Sequence, residues 1–170
     1  MDANEIRWNP KTQKSFRYGR YDEEPPVSHK NRRVHDFNLV DGHRTKKTSS
    51  TNIREGQSEF RSKICKAYDN TCCISGVNVD ELLEAAHIQE YINRNSHHVQ
   101  NGLLLRVDLH RLYDSRLIYI DENYTIHVSS LLNGTLYEQF NEQKIKLPKN
   151  KKDRPSVQAL VLRSNLFRTQ

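Results

Sequence analysis

The feature that most constrains how this chain folds is one short segment carrying His87, Asn101, His110 and Asp114 in the order H-x13-N-x8-H-x3-D. It is built from Glu84-Ala85-Ala86-His87-Ile88, then Asn101-Gly102-Leu103-Leu104-Leu105, then Leu109-His110-Arg111-Leu112-Tyr113-Asp114. A compact strand–strand–helix unit is the arrangement that brings a base, an orienting amide and metal-ligating side chains together from residues in this order. His110 and Asp114 stand at i and i+4, so on a helix both leave the same face.

The surrounding pattern predicts an α+β chain. Phe60, Ile64, Ala67 and Tyr68 recur at helical spacing over 57–69. Residues 71–75 form a short apolar run closed by Gly76, read as a strand and turn. Leu82–Ile88 fits helix or strand by periodicity alone, 91–100 is a polar loop, and Leu103–Leu105 is a buried strand. Asp108 is a good N-cap residue for a helical segment over 109–114. A hairpin is expected from 117–120 and 124–128 around Asp121-Glu122-Asn123, then a helix over 131–143 and an extended stretch at 145–148. A last helix over 156–167 would turn Val157, Leu160, Val161 and Leu166 to the core.

Residues 1–57 differ in character. Twelve cations, among them Arg7, Arg17, Arg32, Arg33 and Lys47, are interspersed with Trp8, Phe16, Tyr18 and Tyr21. Val34, Phe37, Leu39 and Val40 suggest one short strand, and 44–52 a polar linker. The domain division we expect is therefore a basic N-terminal extension, 1–57, and a catalytic domain, 58–170. The extension fits either an arm along a duplex, with cations on phosphates, or a solvated tail. The lysine-rich tract from Lys144 to Arg154 poses the same choice.

Composition narrows the class. A net charge of +6 and a pI near 9.3 favour an anionic partner. With 35% apolar residues and a mean hydropathy of −0.89, no run approaches the roughly 20 residues of a membrane span. The first residues lack a basic start and an apolar core, so a cytoplasmic protein is the expectation. Three cysteines, Cys65, Cys72 and Cys73, with no C-x-x-C pair, fit a reducing compartment. They read as buried thiols, or with His87 as an irregular zinc site.

Imidazole titrates near neutrality, so His87 can accept a proton from water. Asn101 before Gly102 reads as a turn former. A neutral imidazole and a carboxylate at i, i+4 can hold one divalent ion and leave room for water and phosphate. Arg106, Arg111 and Arg116 surround that helix, and arginine can clamp phosphate in bidentate fashion.

These residues resemble the HNH nuclease family, in the branch written A-A-H-I … N-G-L-x-L … L-H-x-L-[FY]-D, over roughly residues 58–128. The resemblance implies a ββα-metal finger with flanking helices and a C-terminal hairpin and helix, a strand ending at His87, and an endonuclease acting on DNA in bacterial restriction or defence. It implies that His87 is the general base and that Asn101 fixes the finger through backbone groups. His110 becomes a metal ligand, with Asp114 its partner and Glu84, Asp108, His97 or His98 as supplements. Arg106, Arg111 and Arg116 are the nucleic-acid candidates. Mg2+ or Mn2+ suits an oxygen-rich shell, while a His ligand also admits Zn2+ or Ni2+. Many family members place a metal ligand just before the base, where this chain has Ala86. That thin shell leaves a non-cleaving nucleic-acid-binding module as the alternative. Palindromic cutting would need a homodimer or a second subunit, and no membrane partner is expected.

Overall fold

The computed structural model describes residues 36–40 and 50–168, with side chains in 36–40 and 56–167. The elements run α1 (Ser50–Ala67), β1 (Leu83–His87), β2 (Gly102–Arg106), α2 (Val107–Asp114), β3 (Ile118–Ile120), β4 (Ile126–Val128) and α3 (Val157–Arg168). Two antiparallel pairs, β1–β2 and β3–β4, are the sheets among the described residues. The residues before 36, including the aromatic and basic arm, and most of the 44–52 tract lie outside the described residues.

β2 is the centre of the core. Leu103, Leu104 and Leu105 are fully buried, and the register sets His87 opposite Gly102 and Leu83 opposite Arg106. A strand covered on both faces reads as continuous Leu rather than as alternation, which is the pattern this segment shows. α1 crosses the pair through Phe60, Ile64 and Tyr68, the apolar positions of its helical repeat. Arg61 fixes the approach by donating to the Leu83 carbonyl and pairing with Asp80 at 3.0 Å. Gly102 is required by contact. A Cβ there would sit 2.2 Å from Ile64 Cδ1 and 2.8 Å from Phe60 Cζ.

Several expectations are corrected. α1 begins at Ser50 rather than 57, taking in the end of the tract read as a linker. Ser, Thr and Asn at its start are residue types that favour helix N-termini. Residues 72–75 form a turn, not a strand. Cys72 N–H bonds Val77 O, and Gly76, at φ +74°, returns its N–H to Cys72 O. α2 starts at Val107 with Arg106 at its cap position, so Asp108 lies inside the first turn. The helix expected over 131–143 is two single 3-10 turns, Ser130–Leu132 and Glu138–Phe140. Gly134 at φ +75° breaks it, and Leu131 and Leu136, 80% and 60% exposed, never reach the core that would hold a helix there. α3 buries Ala159, Leu160, Arg163 and Ser164, whereas Val157 is largely exposed.

The segment 36–40 joins no sheet among the described residues, and two glutamine side chains hydrogen-bond its backbone. Phe37 N–H donates to Gln100 Oε1, Val40 N–H donates to Gln89 Oε1 (2.9 Å), and Gln89 Nε2 donates to Val40 O (2.8 Å). Phe37 and Val40 are buried in the same core as α1 and β2. Residues from within 1–57 thus pack on the finger itself.

Gly102→Ala should destabilise by about 1–3 kcal/mol through overpacking, read from denaturant midpoints. Adding Ile64→Val, which removes the nearest clashing carbon, should recover part of that loss.

Candidate active site

The loop from 88 to 101 joins β1 to β2, and its shape is held from inside by one amide. Asn101 is fully buried. Its Oδ1 accepts from Gln89 N–H at 2.8 Å, and its Nδ2 donates to Gln89 O (3.0 Å) and Ser96 O (2.9 Å). Ser96, also buried, accepts from Ile92 N–H through its hydroxyl at 3.0 Å. The Asn-Gly pair is therefore no two-residue turn. Asn101 closes a 3-10 turn, Val99–Asn101, and Gly102 is already strand. Buried amides are tolerated only when their bonds are made, and here all three backbone partners belong to the loop.

His87 ends β1 against an aromatic wall. Its ring stacks on Phe60, with centroids 4.1 Å apart and planes 9° apart, and its Nε2 lies 3.2 Å from His97 Nδ1. Burial lowers its pKa from 6.5 to about 4, with smaller contributions from the charges His97 and His110 would carry. At neutral pH the ring is neutral and can take a proton from water, and the burial that keeps it neutral also makes it a weaker base than free imidazole.

His110, on α2, is gripped at both ring nitrogens. Nδ1 is 2.7 Å from Glu84 Oε2 and Nε2 is 3.3 Å from Asp114 Oδ2. A carboxylate on one nitrogen fixes the tautomer that frees the other, the usual arrangement behind a metal-bound imidazole. Donors each about 2.1 Å from one ion stand about 3 Å apart, so Nε2 and Oδ2 have the spacing of two neighbouring ligands. Among the described residues no three His, Cys, Asp or Glu side chains form a metal-holding group, Cys65, Cys72, Cys73 and His87 included. The residues present fit a cation held by two protein donors, its other positions open to water and substrate oxygens, a mode hard cations accept.

Arg163 joins this cluster from α3. Its side chain is 9% exposed, and Nη2 donates to Tyr113 O (3.1 Å) and Asp114 Oδ1 (3.3 Å). Its guanidinium carbon stands 4.7 Å from the Tyr113 ring centre, and Glu90 is 4.0 Å away. Arg163 thus holds one carboxylate oxygen of Asp114 while the other faces His110. Sequence reasoning passed over it. The available signal was a cation three residues after Leu160 on the buried stripe of α3, where an arginine needs a partner.

The remaining candidates separate. Arg106 forks onto Asp108 at 2.6 and 2.7 Å, and that pairing lowers the Asp108 pKa to about 2. Tyr137 adds a third bond to Asp108, at 3.0 Å. Arg111 is exposed on α2, and Arg116 sits in the left-handed turn that follows it, at φ +59°. His98 stacks on Phe37, and its Nδ1 accepts from Gln100 N–H. No described helix is long and apolar enough to cross a membrane.

Two outcomes follow. Asn101→Ala should cost about 2–4 kcal/mol, because three loop backbone groups lose their buried partner; thermal melts measure it. The second concerns pH. A histidine depressed from 6.5 to about 4 on folding makes the unfolded chain bind more protons between those values. Stability should therefore be complete above 6.5 and fall on acidification toward 4. His97 and His98, also lowered by burial, act in the same direction. Urea midpoints across that window should fall less steeply for His87→Gln than for the parent.

Comparison with known proteins bears on the same segment. Residues 72–121 match the family described as HNH endonuclease. The fold is similar to a solved modification dependent TagI restriction endonuclease, at 15% identity and a TM-score of 0.50, over 64% of this chain and 37% of that one. The chain thus spans little more than a third of that neighbour's length. No curated protein sequence matches. The matched residues contain His87, Asn101, His110 and Asp114, so the similarity to HNH endonucleases falls on the segment that carries the candidate site.

Proposed function

We propose that the chain is a divalent-cation-dependent endonuclease that hydrolyses phosphodiester bonds in DNA. The observation that carries this reading is the packing of α2 against β1, close enough that a charge on His110 would act on His87. A neutral His87 stands on the strand, and His110 Nε2 and Asp114 Oδ2 stand 3.3 Å apart on the helix. His87 takes a proton from water, the oxygen so activated bonds to phosphorus, and the bond to the 3′ oxygen breaks, that oxygen taking its proton from solvent. A cation between His110 and Asp114 would neutralise charge on the phosphorane and on the departing oxygen. Mg2+ suits two protein donors with the rest water and phosphate; the imidazole also admits Mn2+, Zn2+ or Ni2+.

Asn101 acts by holding the loop behind His87, Glu84 by orienting His110, and Arg163 by orienting Asp114. Of the three arginines, Arg111 is the best placed to meet a phosphate, since Arg106 is already engaged by Asp108. The basic extension and the Lys144–Arg154 tract would supply salt-sensitive affinity for DNA. A setting in bacterial restriction or defence, inside the cytoplasm, fits this chemistry. The two-donor shell favours one competing reading, a module that binds nucleic acid without cutting it.

Supercoiled plasmid separates the two. Nicking should require added Mg2+ or Mn2+, fall by about 100-fold or more in His87→Ala, and fall comparably in Asp114→Ala. Cleavage by His87→Ala at the parent rate would remove the base assignment. Salt-dependent retention of DNA without cleavage under any cation would establish the binding module.

A further inference from the structure

The Nε2 of His87 points at another imidazole, so its Nδ1 is the nitrogen left to meet water. Between two neutral rings only one proton is shared. If His97 donates it, His87 carries its own proton on Nδ1 and has no lone pair to offer. If His87 donates, Nδ1 is bare and basic. We infer that His97 is a positioning residue that sets the tautomer of the base: its Nδ1 accepts the His87 Nε2–H and leaves His87 Nδ1 free to take the water proton. This rests on the reading of His87 as general base.

The surroundings of His97 are built to hold that ring still. It packs on Tyr91, with centroids 4.7 Å apart, and lies 5.4 Å from Phe60, the ring that also stacks on His87. On its far side is Gly56 of α1, where a Cβ would come within 2.7 Å of Nε2 and 2.9 Å of Cδ2. A glycine inside a helix costs stability, and here it makes room for this imidazole. His97 Nε2 is buried with no hydrogen-bond partner among the described residues. In the proposed tautomer this nitrogen carries an unpaired N–H, a cost that the packing around the ring must offset. Burial keeps both imidazoles neutral, as a single shared proton requires. Once His87 is protonated in the reaction, the same acceptor stabilises the imidazolium, the part an acidic group takes behind a catalytic histidine elsewhere.

The test has two arms. Long-range proton–nitrogen NMR on ring-labelled protein should show His87 protonated at Nε2 and bare at Nδ1; a proton on Nδ1 overturns the proposal whatever the activity. In plasmid cleavage, His97→Leu should lower kcat by about 10- to 100-fold with KM and Tm little changed. His97→Asn, whose Oδ1 takes the place of Nδ1, should stay within about threefold of the parent. Parental kcat in His97→Leu, or equal losses in both variants, overturns it. Failure of the base assignment itself would show instead as full activity in His87→Ala, with the NMR tautomer unaffected.

Discussion

The buried amide of Asn101 is the interaction on which the rest of this site depends. A loop that leaves β1 at Ile88 and returns at β2 would carry unpaired backbone groups into the core, and three of these end on one side chain. Because the loop is held there, Gln89 and Gln100 can reach the 36–40 segment, and His97 can reach His87. Gln100 also accepts from Ser156 N–H through its carbonyl and donates from Nε2 to Lys152 O, tying the approach to α3 to the same loop. One amide thus orders contacts from both sides of the domain.

The second organising feature is the charge arrangement on α2. His110 stands between Glu84 and Asp114, and Asp114 between His110 and Arg163. Each group is turned by its neighbour, so little conformational freedom remains to be lost when a cation arrives. A donor pair held in place beforehand would lower the ordering cost of binding a cation there.

Much of this was legible in the sequence, for physical reasons that differ by element. The Leu103–Leu105 run reads as a short buried strand and the apolar runs flanking Asp121-Glu122-Asn123 as a hairpin, and the structure has both. The i, i+4 spacing put His110 and Asp114 on one face, and they are. The 131–143 segment misled because its leucines suggested a buried face that Gly134 and the absence of a facing core deny. Contacts such as Glu84 to His110, Arg163 to Asp114 and His97 to His87 had no such signature. They join residues far apart in the chain, or within an aperiodic loop, and arise only from packing. The two glutamine clips on 36–40 were hidden likewise, since a side chain replaced the strand that hydrophobic alternation would have announced.

The account turns on where a cation sits relative to the His110 ring. The most direct measurement is anomalous scattering from a Mn2+-soaked crystal of the full chain. The account predicts a peak within coordination distance of both His110 Nε2 and Asp114 Oδ2, with Glu84 still on Nδ1. A peak between Glu84 and Nδ1, or one that leaves Asp114 untouched, would contradict it.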